Sequence, residues 1–336
     1  MTATTRVVDA ALEVTVVGSF SRLGYQSRRA LEHWPDDSGG AGLAGRTVLV
    51  TGATSGIGLA AAIGCAQRGA TIRFLARDAA RADAARRRIL DAAGTGVDVS
   101  YDLADMADLD SVRAFAARCN DEVPVLDVLV HNAGALHREH RLAPDGGELT
   151  LTSHVLGPFL LTGLLLPALR ASGPARVLTM SSGGMYTQRF DPADLEMGEE
   201  GYDGAVAYAR AKRAQVVLNR EWARRVPAHE VCFHAMHPGW VDTPGVVSGL
   251  PTFHRVMRPL LRTPDEGADT AVWLASDPEA ARTSGDFWHD RHRRSVHRLP
   301  WTRDAADGSV LWDLCVQRTG LDPLAGVGGP SHEATG

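Results

Sequence analysis

The chain has 336 residues, of which 44% are hydrophobic and 22% charged, and its formal net charge at pH 7 is −5. This is a globular composition, and the length suits one α/β domain of roughly 250 residues with appended segments. The net negative charge does not indicate a nucleic-acid-binding protein, which would typically have an excess of Lys and Arg. No apolar run reaches the roughly 18 residues that would span a bilayer, so we predict no transmembrane segment.

The cysteines indicate neither a disulfide framework nor a metal site. Asp9 and Glu13 interrupt the N-terminal apolar stretch, which argues against a signal peptide. We therefore predict buried free thiols and a cytoplasmic protein. The four cysteines, which are far apart and form no Cys-x-x-Cys pair, are Cys65, Cys119, Cys232 and Cys315.

Residues 1–45 precede the first predicted core strand. Val7–Val17 has the spacing of a short amphipathic helix, and Asp36–Gly42 has the composition of a flexible linker. We expect the helix to pack on the surface of the main domain, residues 46–296. The alternative is a membrane-surface or partner helix, although the stripe lacks the Lys/Arg face that lipid headgroups favour. Residues 297–336 are predicted to be a C-terminal helix and tail.

The first core element is a strand, a glycine turn and a helix. Thr47–Val50 is a short apolar run typical of a buried strand, and Leu59–Gln67 is predicted to be helical. Gly52 allows the tight turn, Gly56 lets the backbone approach a pyrophosphate, and Gly58 lets the helix pack close to the strand. Phosphates bind at such helix N-termini, so the pattern predicts a dinucleotide site.

The second strand, Thr71–Ala76, determines which dinucleotide is expected. A dinucleotide fold places the adenosine ribose at the end of this strand, where an acidic residue would bind the 2′-hydroxyl of NAD. Here the strand ends in Ala76, and Arg77 and Arg81 follow on one helical face. Two guanidinium groups suit a 2′-phosphate, so we predict NADP. A solvated arginine face is the alternative, more credible for Arg81 than for Arg77.

Strands and helices then alternate along the chain. This pattern predicts a doubly wound α/β domain with a parallel sheet of about seven strands flanked by helices. Leu149–Leu169 is expected to be a long buried helix that Pro158 kinks. Residues 245–262 form a predicted apolar loop over the substrate, before a capping box at Thr263. The remaining strands are expected at residues 97–101, 125–130, 176–180, 230–235 and 287–288.

Tyr208 and Lys212 carry the predicted chemistry. They are four residues apart in a helix, so both side chains leave one face. Carbonyl reduction needs a proton donor, and a neighbouring ammonium lowers the pKa of a tyrosine by favouring the phenolate. Ser182, just after the fifth strand, can donate to the carbonyl oxygen. Lys212 is also the single lysine among 35 basic residues, which favours a functional role.

Histidines crowd the region after the fourth strand, but their spacing fits no metal site. They are more simply scattered loop and helix residues, and we predict no metal. The group comprises His131, His137, His140 and His154.

Over residues 46–290 the chain resembles the short-chain dehydrogenase/reductase (SDR) family. The resemblance rests on three motifs and their order: the glycine turn, the Ser181–Ser182 strand end and the Tyr208–Lys212 pair. Within that family the chain resembles the dehydrogenase/reductase member 12 group, through Ser181–Met185, Tyr208–Leu218 and His237–Val246. The resemblance implies a Rossmann-type fold and a dinucleotide cofactor. It implies that Tyr208 is the acid/base, that Ser182 orients the substrate and that Lys212 holds the nicotinamide ribose. The resemblance also places Asp102 and Leu103 beside the adenine, and Val241 and Thr243 at the carboxamide. The other implied cofactor contacts, besides Tyr208 and Lys212, are Gly52, Thr54, Ser55, Gly56, Ile57, Gly58, Asn132, Ala133, Gly134, Pro238 and Gly239.

One departure from the family pattern concerns His154. Many members have asparagine there, linking the lysine to solvent through water, and histidine can donate and accept in such a relay. We expect an NADP(H)-dependent oxidoreductase that interconverts a lipophilic carbonyl and an alcohol, with His154 in the relay. The alternative is a non-catalytic NADP-binding redox sensor or partner-binding scaffold. A homodimer through the two long helices is expected by analogy only.

Overall fold

The structure is a computed structural model, and it describes residues 3–34, 42–94, 96–298 and 302–325. Its sheet has the strand order β3-β2-β1-β4-β5-β6-β7-β8. The first seven strands are parallel, as predicted. Strand β8 adds a short antiparallel edge, and its two residues are too few to produce a recognisable strand pattern in the sequence. The strands are β1 (Thr47–Thr51), β2 (Thr71–Ala76), β3 (Val99–Leu103), β4 (Val128–His131), β5 (Ala175–Met180), β6 (Val231–Met236), β7 (Phe287–His289) and β8 (His292–Arg293).

The order of the strands creates the site. The chain starts at β1, adds β2 and β3 on one side, and then returns to add β4 on the other side. The connections after β1 and β4 therefore leave in opposite directions. Such a switch point opens a crevice at the carboxyl ends of the strands, where dinucleotides bind in doubly wound folds.

Helices cover both faces of the sheet. One hydrophobic cluster joins α4, α5 and α11 to the sheet, and the other joins α6, α7, α8 and α12 to its opposite face. The helices are α1 (Ala3–Val14), α2 (Val16–Phe20), α3 (Arg22–Glu32), α4 (Gly56–Ala66), α5 (Ala79–Ala93), α6 (Leu109–Glu122), α7 (Leu149–Ser172), α8 (Gly204–Arg225), α9 (Pro244–Gly249), α10 (Pro251–Met257), α11 (Pro264–Ser276) and α12 (Gly308–Thr319).

Helix α7 contains the irregularity expected at Pro158. Residues Thr152–Leu156 are π-helical, and Pro158 follows at the start of the regular α-helical part. Proline has no N–H to donate to the carbonyl of residue 154, so the α-helical ladder is interrupted here. Among the described residues, α7 is the one helix long and apolar enough to cross a membrane, but it is mostly buried, as a core helix would be.

Two predicted segments have more secondary structure than expected. Residues 245–262 contain α9, α10 and a 3₁₀ turn rather than a loop, because Pro244 and Pro251 each begin a helix. The N-terminal segment forms three helices, with a break at Thr15, rather than one. The capping box at Thr263 is confirmed. Residues 36–41 of the predicted linker Asp36–Gly42 and the tail after residue 325 lie outside the described residues. The domain division stays a prediction.

Candidate active site

A cleft of about 710 Å³ follows the carboxyl edge of the sheet, from the end of β2 to the helices α9 and α10. Most of the predicted site residues line it, although Gly58, Asp102, Leu103 and His154 do not. The lining residues that the sequence predicted are Gly52, Thr54, Ser55, Gly56, Ile57, Arg77, Arg81, Asn132, Ala133, Gly134, Ser182, Tyr208, Lys212, Pro238, Gly239, Val241 and Thr243.

The glycine turn between β1 and α4 has the shape of a phosphate cradle. Gly52 and Gly56 have φ values of +71° and +56°, which residues with a Cβ rarely adopt. A Cβ at Gly52 would also lie 2.9 Å from the Cα of Ala133. Ser55 makes no side-chain capping bond, so the first N–H groups of α4 can serve an anion. The turn therefore fits the pyrophosphate of a dinucleotide.

Gly58 and Asn132 support this turn from behind, and Asn132 also lines the cleft. The side-chain amide of Asn132 donates to the carbonyls of Thr51 and Gly52, each at 3.0 Å. A Cβ at Gly58 would overlap that amide and come within 2.6 Å of the Gly52 carbonyl oxygen. Gly58 thus permits close packing of helix and strand, as the sequence predicts.

The adenosine end of the cleft corrects one expectation. The Asp102 carboxylate accepts a hydrogen bond from Arg73 Nε at 2.7 Å and, like Leu103, does not line the cleft. Arg73, whose side chain is 9% exposed in β2, needs this anion because a buried guanidinium is stable only when paired. Residues 104–107 line the cleft instead. The Arg77 side chain lies beside them and is 68% exposed, with 3.8 Å between its guanidinium nitrogen and a carboxylate oxygen of Asp105.

The structure brings Ser182, Tyr208 and Lys212 together in the middle of the cleft. Strand β5 ends beside α8, and Ser181 Oγ donates to the carbonyl of Lys212 at 2.8 Å, which fixes the strand end to the helix. Ser182 and Tyr208 both line this part of the cleft. Lys212 Nζ lies 5.5 Å from the centre of the Tyr208 ring.

Burial dominates the acid–base properties of this pair. It raises the pKa of Tyr208 to about 12, against a smaller lowering by the Ser182 hydrogen bond, and it lowers the pKa of Lys212 to about 7. Burial therefore disfavours the charged form of each group. The sequence-based expectation that Lys212 lowers the pKa of Tyr208 is not met here, because desolvation of both groups is the larger effect.

Lys212 is held by two acceptors that were not among the predicted site residues. Its Nζ donates to the carbonyl of Met180 at 2.7 Å and to Gln215 Oε1 at 3.1 Å. Gln215 Nε2 in turn donates to the carbonyl of His154 at 2.7 Å. The available signal was the i, i+3 spacing from Lys212 to Gln215, which places both on one helical face.

The imidazole of His154 makes no direct hydrogen bond to Lys212 within the described residues, and its part in a water-mediated relay stays a prediction. Its Nδ1 lies 2.9 Å from the carbonyl of Thr150, and the ring stands edge-on to Tyr208 with 5.4 Å between centres. Nε2 has no hydrogen-bond partner within the described part of the chain. Burial, and then the nearby Lys212 charge, holds the pKa of His154 well below its usual value. His154 therefore contributes its backbone carbonyl to this network.

The substrate end is completed by the N-terminal helices. The Phe20 ring packs edge-on to His237, with 4.4 Å between centres, and the Phe20 carbonyl accepts from Trp240 N at 2.8 Å. A Cβ on Gly183 would collide with this ring. Residues 19–21 thus support the loops after β5 and β6. No local sequence pattern signals this contact, because the partners of Phe20 are more than 160 residues away.

Apolar side chains cover the cleft beyond Tyr208. Trp240 packs edge-on to Phe253 of α10, with 5.3 Å between ring centres. Leu136, Leu149 and Leu250 line the same end.

No metal site accompanies the cleft. No group of three or more His, Cys, Asp or Glu residues suited to a metal occurs within the described ranges. The four cysteines are buried free thiols, as predicted.

The model of the short chain dehydrogenase family matches residues 46–249, which contain the glycine turn, Ser182, Tyr208 and Lys212. This chain belongs to the short-chain dehydrogenase/reductase family. It is 38% identical over 288 residues to dehydrogenase/reductase SDR family member 12 of Bos taurus, covering 85% of this chain and 89% of the relative. The resemblance to the member 12 group is therefore confirmed.

Other relatives have more specific names. Retinol dehydrogenase 14 of Mus musculus is 36% identical, covering 82% of this chain and 86% of the relative. The putative daunorubicin C-13 ketoreductase DnrU of a Streptomyces species is 38% identical, covering 83% and 94%. A crystal structure of a putative NAD(P)-dependent gluconate 5-dehydrogenase from Beutenbergia cavernae, with NADP bound at low occupancy, superposes with a TM-score of 0.61 at 28% identity, covering 82% and 100%.

Proposed function

We propose that this SDR oxidoreductase is an NADP(H)-dependent enzyme that interconverts a lipophilic carbonyl compound and its alcohol. The observation that carries the proposal is the position of Ser182, Tyr208 and Lys212 between two unlike halves of one cleft. One half is the glycine turn, which suits a pyrophosphate, and the other is the apolar end around Trp240 and Phe253.

The residues in the middle of the cleft have separate tasks. When bound, the nicotinamide cofactor supplies the hydride. The Ser182 hydroxyl donates to the substrate oxygen, and Tyr208, whose raised pKa keeps the phenol protonated, gives its proton to that oxygen. Lys212, held by the Met180 carbonyl and Gln215, directs its remaining N–H toward the cleft.

The preference for NADP rests on the end of β2. Ala76 leaves no acidic side chain at the strand end, and the nearest carboxylate in sequence, Asp78, is occupied as the helix cap that accepts from Arg81 N at 2.8 Å. Arg77 and Arg81 both line the cleft there. The NADP in the Beutenbergia cavernae structure agrees with this choice.

A lipophilic substrate is supported by the aromatic and aliphatic lining of residues 240–253. The names of two relatives, a retinol dehydrogenase and a putative daunorubicin ketoreductase, point to ring-containing organic substrates of the same character. A homodimer and a cytoplasmic location remain predictions.

The test is NADPH oxidation by the purified protein with a panel of apolar aldehydes and ketones that includes retinal. Tyr208→Phe should lower kcat/KM by at least ~100-fold, because it removes the proton donor. Tyr202→Phe is the matched control, since the Tyr202 hydroxyl bonds to Glu148, outside the cleft lining. Binding of NADPH without turnover of any substrate would favour the non-catalytic alternative.

A further inference from the structure

Gln215 connects the catalytic helix α8 to the π-helical segment of α7. Its side chain is buried, with 4% of the residue exposed. Oε1 accepts from Lys212 Nζ at 3.1 Å, and Nε2 donates to the His154 carbonyl at 2.7 Å. One amide thus spans the gap between the catalytic ammonium group and the backbone of the neighbouring helix.

Pro158 explains why the His154 carbonyl is available. In a regular α-helix this carbonyl would accept from the N–H of residue 158, but proline has no N–H. The π-helical turn at Thr152–Leu156 precedes the break. A buried carbonyl that lacks its helical donor is destabilising, and Gln215 supplies a donor. The amide is therefore oriented by α7, with its oxygen directed at Lys212.

The same amide determines the direction of Lys212. An ammonium group has three N–H donors, of which the Met180 carbonyl takes one and Gln215 takes a second. Because Lys212 lines the cleft, the third N–H is left for a group bound there. Without Gln215 the ammonium would keep a single protein acceptor and could rotate about its bond to that carbonyl.

We propose that Gln215 is a positioning residue for Lys212, and that its amide occupies the place where the family resemblance predicts a water molecule bound to an asparagine. The kinetic consequence rests on the proposed function, whereas the electrostatic consequence does not. A carbonyl oxygen that accepts from an ammonium group stabilises its charged form. Burial acts in the opposite direction on Lys212, so loss of Gln215 should favour the neutral amine.

The lone lysine allows a direct measurement. Because Lys212 is the single lysine of the chain, labelling lysine with ¹³C at Cε gives one side-chain NMR signal, whose pH titration reports this group alone. Gln215→Leu should lower the measured pKa of Lys212 by at least about one pH unit, since it removes a hydrogen bond to a charged group. Gln215→Glu places a carboxylate beside the ammonium and should raise it.

Asn219→Leu is the matched control. Asn219 is a buried amide one turn further along α8, and its Nδ2 has no hydrogen-bond partner in the described ranges. Its replacement should leave the Lys212 titration unchanged. Equal titrations for Gln215→Leu and Asn219→Leu would overturn the proposal. If Gln215→Leu does not fold, an unchanged pKa in Gln215→Glu would overturn it equally.

Kinetics then test the role in turnover. Carbonyl reduction should need the ammonium form of Lys212, so the alkaline limb of the kcat/KM profile should move to lower pH in Gln215→Leu and to higher pH in Gln215→Glu. We expect kcat/KM of Gln215→Leu to fall by at least ~10-fold, mainly through kcat. A profile that does not follow the NMR titration would overturn the kinetic role. Absence of turnover in the wild-type protein would contradict the proposed function, while the NMR comparison would still decide the role of Gln215.

Discussion

The two ends of the cleft are built by different physical means. The cofactor end comes from one continuous stretch, β1, the glycine turn and α4, and its shape depends on backbone conformation and on the absence of Cβ atoms. The substrate end is assembled from segments far apart in sequence, and buried charges hold them together. The first should tolerate changes of charge better than the second.

Asp290 is the centre of the charged end. Its carboxylate accepts from Arg262 through both oxygens, at 2.5 and 2.9 Å, and from Arg28 of α3 at 2.6 Å. All three side chains are 1% exposed. Arg262 also donates to the carbonyls of Ser19, Phe20 and Pro238, so one guanidinium ties the N-terminal helices to the loop after β6.

The two ends should therefore be damaged by different kinds of substitution. A backbone cradle fails when a side chain intrudes, whereas a buried ion cluster fails when one charge is removed and its partners remain without compensation.

Asp290→Asn should have the largest effect on stability. It leaves the buried Arg262 without its carboxylate partner, which typically costs about 3–5 kcal/mol, while Arg28 keeps Asp9 and Glu13. Asn tolerates the left-handed conformation of this residue, φ +50°, so the backbone is not the cause. Urea unfolding measures the change. Asp110→Asn, at the solvent-exposed ion pair with Arg113, is the control, expected to cost less than about 1 kcal/mol. An equal loss of unfolding free energy in the two variants would contradict the special role of the buried ion cluster.

Lys212→Arg should come second, and it tests the geometric role of the lysine. The charge is kept, but a planar guanidinium is wider than an ammonium and cannot take both the Met180 carbonyl and Gln215 in the same way. We expect a fall in kcat/KM of at least ~100-fold, about 2.7 kcal/mol of transition-state stabilisation, with the fold intact. More than a third of wild-type activity in this variant would contradict a geometric requirement for lysine.

His131→Asn should reduce acid sensitivity at the cofactor end, where β4 finishes. Burial lowers the pKa of His131 to about 3, and its Nε2 lies 2.7 Å from Thr162 Oγ1. Between pH 6.5 and about pH 3, His131 is protonated in the unfolded chain but neutral in the folded protein. The free energy of unfolding therefore decreases as the pH falls through this range. In the variant, the slope of the unfolding free energy against pH should decrease by up to about 1.4 kcal/mol per pH unit.

Unfolding curves at several acidic pH values measure this slope. His33→Asn serves as the control, because His33 is exposed and asparagine tolerates its left-handed conformation, φ 51°. Parallel slopes for the wild type and His131→Asn would show that His131 is not responsible.

Arg77→Ala should have the smallest effect, confined to cofactor choice. A charge-assisted contact with the 2′-phosphate is worth about 1.5–3 kcal/mol, so the preference for NADP over NAD should fall at least ~10-fold. Calorimetric titration with both cofactors measures the ratio. Arg87→Ala, an exposed arginine further along α5, should leave the ratio unchanged. An unchanged ratio in Arg77→Ala would remove this residue from the site.

Local patterns in the sequence were enough for much of the fold and the middle of the cleft. The run Thr47–Gly58 encodes strand, turn and helix through neighbouring residues, and positive φ values at Gly52 and Gly56 agree with that reading. The i, i+4 spacing of Tyr208 and Lys212 fixes them on one helical face without any knowledge of the rest of the chain. Strand ends in a parallel sheet meet at one edge, which brought Ser182 and Asn132 to the same cleft.

The groups that surround these residues depend on how distant segments of the chain pack together. Gln215 and His154 are 61 positions apart, and Arg262 and Ser19 are 243 apart. No periodicity relates residues at such separations, because their contact depends on how whole helices pack on the sheet. The same reason explains Asp102, whose sequence position predicts the cofactor but whose carboxylate is taken by Arg73 on the adjacent strand. Sequence determined the local geometry of the site, and packing of distant segments determined its charges and its hydrogen bonds.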